Sequence, residues 1–248
     1  MADDFFHGAA CLRRGFSLML QPGLRRYVFI PLTINLVVFA ALIWVGAEYF
    51  DQLVHSLVPE LPGWLAWLQW LMWVLFGGAA LLVVFYGFTL VANLIGAPFN
   101  SLLAERVDQR LTGRIPPTAS LGRALASLPA TFIEELIKLV WFVVITVIAG
   151  VIALILLFVP VVNVAVAPAW FLFSAWLLAL EYSDFPLGAR GFNFRSQRKL
   201  LGARTGPALG FGVATAVATM IPVLNFFVMP AAVAGATALW AGHAPARD

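Results

Sequence analysis

The sequence predicts an all-α integral membrane protein with two long transmembrane helices, two re-entrant (hemi-penetrating) helical hairpins and an N-terminal amphipathic helix. Three observations lead to this prediction. Hydrophobic residues make up 62% of the chain and charged residues 11%, which is outside the range of soluble globular proteins. The charges are confined to a few short segments, and the uncharged stretches between them are long enough to cross a bilayer. A Pro-x-x-Asn pattern also occurs twice, each time within an uncharged run.

The repeated pattern predicts two apolar helix–turn–helix hairpins. Proline lacks the backbone N–H and cannot continue a helix interior, so prolines that bracket an Asn indicate a turn. One long, kinked helix is the alternative for each copy. The two copies are Pro160–Asn163–Pro168, in the hairpin 139–180, and Pro222–Asn225–Pro230, in the hairpin 205–242.

The second arm of each hairpin is short. Counted from Pro168 to Glu181, and from Pro230 to His243, each arm gives roughly 20 Å of helix against about 30 Å of hydrocarbon. We therefore expect both hairpins to enter the membrane and turn back. Six full spans remain the alternative. The tips should be covered by protein or line a cavity, because lipid cannot hydrogen-bond irregular backbone.

The N-terminal half supplies the other elements. Residues 1–21 have apolar side chains at helical spacing, typical of an interfacial helix or of one packed under the membrane domain. Two runs, 27–47 and 64–96, predict the transmembrane helices, and Pro31 predicts a kink in the first or a start after it. The connection 48–62 is acidic and is followed by a tryptophan-rich belt.

The basic residues predict the orientation. They occur in segments 13–26, 106–138 and 190–204, whereas the loop 48–62 has no Lys or Arg. By the positive-inside rule, segments 105–138 and 181–204 lie on the cytoplasmic side. We expect a multi-pass protein of the bacterial inner membrane.

Catalytic and metal-binding motifs are missing from the sequence. His7, His55 and His243 are far apart, and the single Cys11 excludes an internal disulfide. The chain has no GxxxxGK[ST], GxSxG or HExxH motif. We therefore expect no enzyme activity, no ATPase and no cofactor.

The stretch before the first span predicts an anion site. Gly23 allows close approach of the backbone, and Arg25 and Arg26 carry charge beside the N-terminus of a helix. A site made only of donors suits sulfate, which accepts hydrogen bonds and donates none. Paired arginines at the end of a span also commonly anchor lipid headgroups, and that interpretation stays open. A second charged stretch contains Glu105, Arg106, Asp108 and Arg110. It predicts either an anion path lined by Arg106 and Arg110 or a solvated helical face of intrahelical salt bridges.

Two motifs resemble those of the CysZ-type bacterial sulfate permeases, which are related to the etoposide-induced-protein-like membrane family. One is Gly23-Leu24-Arg25, and the other is 97–100 (APFN) followed by 103–105 (LAE). The paired Pro-x-x-Asn hairpins also fit, and the resemblance covers essentially the whole chain.

The resemblance implies sulfate uptake across the inner membrane for cysteine biosynthesis, by a homo-oligomer that is channel-like or ion-coupled. The implied sulfate-binding residues are Gly23, Leu24, Arg25 and Arg26. The implied pore residues are Asn100, Glu105, Arg106 and Arg110. The alternative is a non-transporting membrane scaffold that binds anionic lipid headgroups through the arginines.

Overall fold

The computed structural model describes residues 2–57, 66–113 and 121–242, and the secondary structure in these ranges is entirely helical. The predicted loop 48–62 is partly helical, because α2 continues to Leu57, and its remainder lies outside the described residues. The loop 114–120 and the tail 243–248 also lie outside them. The helices are α1 (Ala2–Met19), α2 (Arg26–Leu57), α3 (Ala66–Thr112), α4 (Leu121–Leu157), α5 (Asn163–Ala189), α6 (Phe194–Ala203), α7 (Thr205–Thr219) and α8 (Pro222–Trp240).

The chain divides into two compact units. Unit 1 contains residues 1–28 and 100–248, and unit 2 contains residues 29–99. Within unit 2, the rings of Phe39 on α2 and Phe88 on α3 lie 4.9 Å apart. Both helices continue through an internal proline, Pro31 in α2 and Pro98 in α3. The first helix thus begins before Pro31, not after it.

Helix α1 packs against α7 and α8 in unit 1. The approach is close enough that a Cβ at Gly8 would lie 2.0 Å from the carbonyl oxygen of Pro207, and one at Gly15 would lie 2.0 Å from that of Ala231. The apolar side chains Leu12 and Met19 are buried. Protein therefore covers part of the apolar side of α1, whereas Phe6 and Leu20 are exposed.

The core of unit 1 is built around α8. This helix is rich in small residues, and a consecutive run from Ala231 to Ala234 is fully buried. Small side chains allow neighbouring helices to approach, and α5 packs against α7 and α8 while α4 and α6 pack against α5. The core therefore forms where α1, α5, α7 and α8 meet.

The two hairpin tips share their backbone hydrogen bonds as well as their sequence. Asn163 N–H donates to Val159 O at 3.1 Å, and Asn225 N–H donates to Ile221 O at 2.8 Å. A bond between residues three apart also recurs in both turns. Val159 N–H donates to Leu156 O at 3.1 Å, and Ile221 N–H donates to Ala218 O at 3.2 Å. The two turns thus share these two hydrogen bonds, but they differ in length, since α5 starts at Asn163 and α8 at Pro222.

The second proline of each copy lies inside a helix instead of closing the turn. Pro168 is within α5 and Pro230 is within α8. The turns are therefore shorter than the bracketing prolines suggested, and the second arms are longer, starting at Asn163 and Pro222. The first tip also holds Val161 at φ 70, a conformation that is strained for a β-branched residue.

Five helices are long and apolar enough to cross a membrane, judged by length and composition among the described residues. Helix α7, with 15 residues, is not one of them. The five candidate spans are Arg26–Gly46, Trp70–Phe88, Leu136–Leu157, Asn163–Ala189 and Pro222–Trp240.

Candidate functional site

The turn between α1 and α2 carries the predicted anion-binding residues. Gly23 adopts φ +87, which a residue with a side chain rarely does, so glycine sets the course of this turn. Leu24 is buried and anchors the turn in the core of unit 1. Arg25 and Arg26 are exposed on either side of the point where α2 begins.

Two of the backbone donors that the sequence suggested for an anion are used inside this turn. The N–H groups of Leu24 and Arg25 both donate to the carbonyl oxygen of Gln21, at 3.0 and 3.1 Å. Pro22 lies before the helix, because α2 starts at Arg26. The guanidinium groups, more than the turn's amides, are therefore the donors that face outward.

The two arginines have different surroundings. The Arg26 guanidinium lies 4.9 Å from the ring centroid of Tyr27 and donates to its hydroxyl oxygen at 3.0 Å. The Arg25 side chain has no hydrogen-bond or ion-pair partner among the described residues. Arg25 is thus the freer of the two to bind an anion.

The end of α3 lies against this turn. Arg110 Nη1 donates to the carbonyl oxygen of Pro22 at 3.3 Å. The buried residues Leu103 and Val107 belong to the same apolar cluster as Leu24. The structure therefore brings together the two stretches that the sequence singled out separately, within unit 1.

The remaining predicted pore residues lie on the same stretch of α3. Asn100 is buried, with 5% of its surface exposed, whereas Arg106 is exposed. Arg106 Nη1 donates to Gln109 Oε1 at 3.1 Å, and Glu105 is half-buried. Among the described residues, Glu105, Arg106 and Arg110 form no ion pair with one another, so the alternative of intrahelical salt bridges does not describe them.

An ion pair that the sequence analysis missed holds this part of α3. The guanidinium of Arg190, at the C-cap of α5, binds both carboxylate oxygens of Asp108. Arg190 Nη1 also donates to the carbonyl oxygen of Trp240 at 2.9 Å, and Trp240 Nε1 donates to Ser183 Oγ at 2.8 Å. The ends of α3, α5 and α8 are thereby joined.

The site's chemistry is that of cationic recognition. Within the described ranges, no group of three His, Cys, Asp or Glu side chains could hold a metal ion. Arg25, Arg26 and Arg110, which we call the arginine cluster, place three permanent positive charges on and beside one turn. Such an arrangement can bind an oxyanion through charge-assisted hydrogen bonds.

Comparison with known proteins shows similarity to one family of membrane transporters. Residues 11–230 match the family described as "Sulfate transporter CysZ/Etoposide-induced protein 2.4". A sulfate transporter CysZ of Pseudomonas aeruginosa is 41% identical over 234 residues, which cover 94% of both chains. Proteins of the same name from Pseudomonas fluorescens and Salmonella typhimurium are 40% and 39% identical, over 94% of this chain and 92% and 91% of theirs.

Proposed function

Because the chain belongs to the sulfate transporter CysZ/etoposide-induced protein 2.4 family, we propose that it is a sulfate permease of the bacterial inner membrane. It imports sulfate for cysteine biosynthesis and has no ATPase of its own. The observation that supports a sulfate site in this chain is the position of Arg110, which hydrogen-bonds the turn that carries Arg25 and Arg26.

Sulfate binds at the arginine cluster. Its four oxygens accept hydrogen bonds, and guanidinium groups offer several donors in fixed planes. Gly23 gives the turn its course, and the buried Leu24 fixes it to the core, so the two arginines are presented from a defined backbone. Arg25, without a partner among the described residues, makes the principal contact.

The path beyond this site follows α3. A dianion cannot cross hydrocarbon without donors around it, because the loss of its hydration costs tens of kcal/mol in a medium of low dielectric constant. Arg106 and Arg110 supply charge along one stretch of the helix, Asn100 supplies a neutral amide, and Glu105 acts as a gating carboxylate. The path is channel-like or ion-coupled.

The proposed membrane arrangement consists of two crossings, by α2 and α3, and two re-entrant hairpins, of which the second has the structural support, since α4 and α5 of the first are each long enough to cross. Helix α7 has 15 residues, so it extends about 22 Å and falls short of the roughly 30 Å hydrocarbon core. The exposed apolar side chains of the two hairpin tips, among them Val161 and Val223, support burial in lipid or against another copy in a homo-oligomer.

Uptake of radiolabelled sulfate into proteoliposomes tests the function. The wild type should accumulate sulfate, and the Arg25→Ala/Arg26→Ala variant should lose most of the uptake. An Arg13→Ala/Arg14→Ala variant is the matched control, because it removes two exposed charges from α1. Uptake by the wild type without a proton gradient supports a channel-like path, and uptake only with one supports ion coupling. No uptake in either condition would contradict the function, and equal uptake by all three proteins would contradict the site.

A further inference from the structure

A shallow apolar groove lies on α4. Its residues are distant in sequence from those of the arginine cluster. It has a volume of about 480 Å³ and opens to the surroundings of unit 1. Its location is the start of the candidate span Leu136–Leu157, which has a mean hydropathy of 3.0. The groove is lined by Leu136, Ile137, Val140, Trp141 and Val144.

A cation is fixed at one wall of this groove. The guanidinium carbon of Arg198 on α6 lies 4.4 Å from the ring centroid of Trp141, in cation–π geometry. No carboxylate among the described residues forms an ion pair with Arg198. Stacking leaves the edge of the guanidinium plane, with its N–H donors, available to an anion.

Helix α6, which carries Arg198, is held in place by contacts of its other residues. The side chain of Asn193 caps the helix by accepting from Ser196 N–H at 2.9 Å. Phe194 is buried, and its ring meets that of Trp141 edge-on, with 5.3 Å between centroids. Gln197 is buried and donates to Asp184 Oδ1 at 2.8 Å.

The neighbouring cation on α4 is already engaged. Lys138 Nζ binds Asp184 Oδ2 at 2.6 Å, so its charge is neutralised beside Gln197. Arg195 and Lys199, on either side of Arg198 in α6, are exposed and add positive charge to the same helix. The apolar floor on α4 thus lies beside positive charge on α6.

We propose that this groove binds an anionic phospholipid, with the phosphate on Arg198 and an acyl chain along the apolar side chains of α4. Charge complementarity favours an anionic headgroup over a zwitterionic one. The apolar floor favours a lipid over a free oxyanion, because four of the five lining side chains are aliphatic and offer a dianion no hydrogen bond. The site goes beyond the proposed transport function and uses none of its residues.

Photo-crosslinking tests this proposal on the full chain. The protein would be placed in phosphatidylcholine bilayers that contain a minor fraction of a probe lipid with a diazirine on one acyl chain. The probe would be phosphatidylglycerol in one sample and phosphatidylcholine in the other. Cross-linked peptides would be mapped by mass spectrometry. We expect residues 136–144 to be labelled several-fold more by the phosphatidylglycerol probe. Arg198→Gln should abolish this preference, Arg198→Lys should retain part of it, and Arg13→Gln should leave it unchanged.

Four outcomes would overturn the proposal. Equal labelling of the wild type by both probes would show no headgroup selection, and this comparison does not depend on any variant folding. An undiminished preference in a folded Arg198→Gln protein would assign the selection elsewhere. Loss of the preference in excess sulfate would identify a site for free anions instead of lipid. No labelling of residues 136–144 by either probe would indicate that protein covers the groove.

Discussion

The guanidinium group of Arg110 donates a hydrogen bond to the carbonyl oxygen of Pro22, with 3.3 Å between Nη1 and the oxygen. The two residues are 88 positions apart in the chain. The bond joins the end of α3 to the turn that presents Arg25 and Arg26, so it places the two predicted parts of a sulfate path side by side.

Removal of this bond should weaken sulfate binding more than it destabilises the fold. We expect Arg110→Gln to raise the sulfate Kd about tenfold, because it removes both a charge and a charge-assisted hydrogen bond at an exposed position. Arg110→Lys keeps the charge and should raise the sulfate Kd by a smaller factor. Isothermal titration of the purified variants against sulfate would measure both values.

The control for this prediction is Arg13→Gln, which removes an exposed charge from α1. It should leave the sulfate Kd within about twofold of the wild type. If Arg110→Gln binds sulfate as the wild type does, the end of α3 contributes nothing to the site.

The ion pair of Asp108 with Arg190 should behave as a buried pair. The two side chains are only 15% and 8% exposed. Asp108→Asn or Arg190→Met leaves an uncompensated charge in the interior and should lower the free energy of unfolding by about 3–5 kcal/mol. The double variant Asp108→Asn/Arg190→Met removes both charges and should be more stable than either single variant.

Thermal unfolding of the four proteins in one detergent would complete this double-mutant cycle. If the two single effects simply add in the double variant, the side chains do not interact in solution. A sulfate titration of the same proteins would show whether the pair also positions α3 for binding.

The glycines of α1 and α7 predict where added volume is not tolerated. A Cβ at Gly210 would lie 1.9 Å from the carbonyl oxygen of Phe5, and one at Gly8 would lie 2.0 Å from that of Pro207. Either Gly→Ala change must push the helices apart, and overpacking of this kind costs about 1–3 kcal/mol. Gly202 in α6 is the matched control, because a Cβ there meets nothing within 4 Å.

Thermal unfolding should separate these variants clearly. Gly8→Ala and Gly210→Ala should lower the Tm by several degrees. Gly202→Ala should leave it unchanged or raise it slightly, since alanine favours a helix. Equal Tm values for all three variants would mean that α1 does not pack against α7 as described.

The sequence predicted the features that depend on composition and local pattern. The apolar runs, the hairpin turns near Pro160 and Pro222, and the importance of Gly23 all follow from residue types at short spacing. Counting from Pro168 and Pro230 underestimates the length of the second arms, because α5 and α8 begin before these prolines. A proline can lie within a helix because its fixed φ is helical and the helix loses one backbone hydrogen bond there, as at Pro168 and Pro230.

The contacts between distant segments could not be predicted in the same way. Asp108 and Arg190 are 82 positions apart, so no helical spacing links them. The stacking of Arg198 on Trp141 depends on how α6 lies on α4. The use of the Leu24 and Arg25 amides by Gln21 depends on the exact turn, which a glycine permits but does not specify.

The thiol of Cys11 gives a prediction for the pH dependence of stability. Burial raises the pKa of Cys11 above its usual value of 9.0, and the positive charge of Arg14 offsets this only in part. The folded protein thus keeps the thiol proton at pH values where the unfolded chain has lost it. The resulting stabilisation is complete below the ordinary pKa and declines as the pH rises from there toward the folded value.

Comparison of the wild type with Cys11→Ala isolates this effect. Lysines and tyrosines also titrate in alkaline solution, but they are the same in both proteins and cancel in the difference. We expect the Tm of the wild type, relative to that of Cys11→Ala, to be constant from about pH 7 to about pH 8 and to fall above about pH 9. Parallel curves across this range would mean that the thiol is as free to ionise in the folded protein as in the unfolded chain, and that α1 does not bury it between α7 and α8.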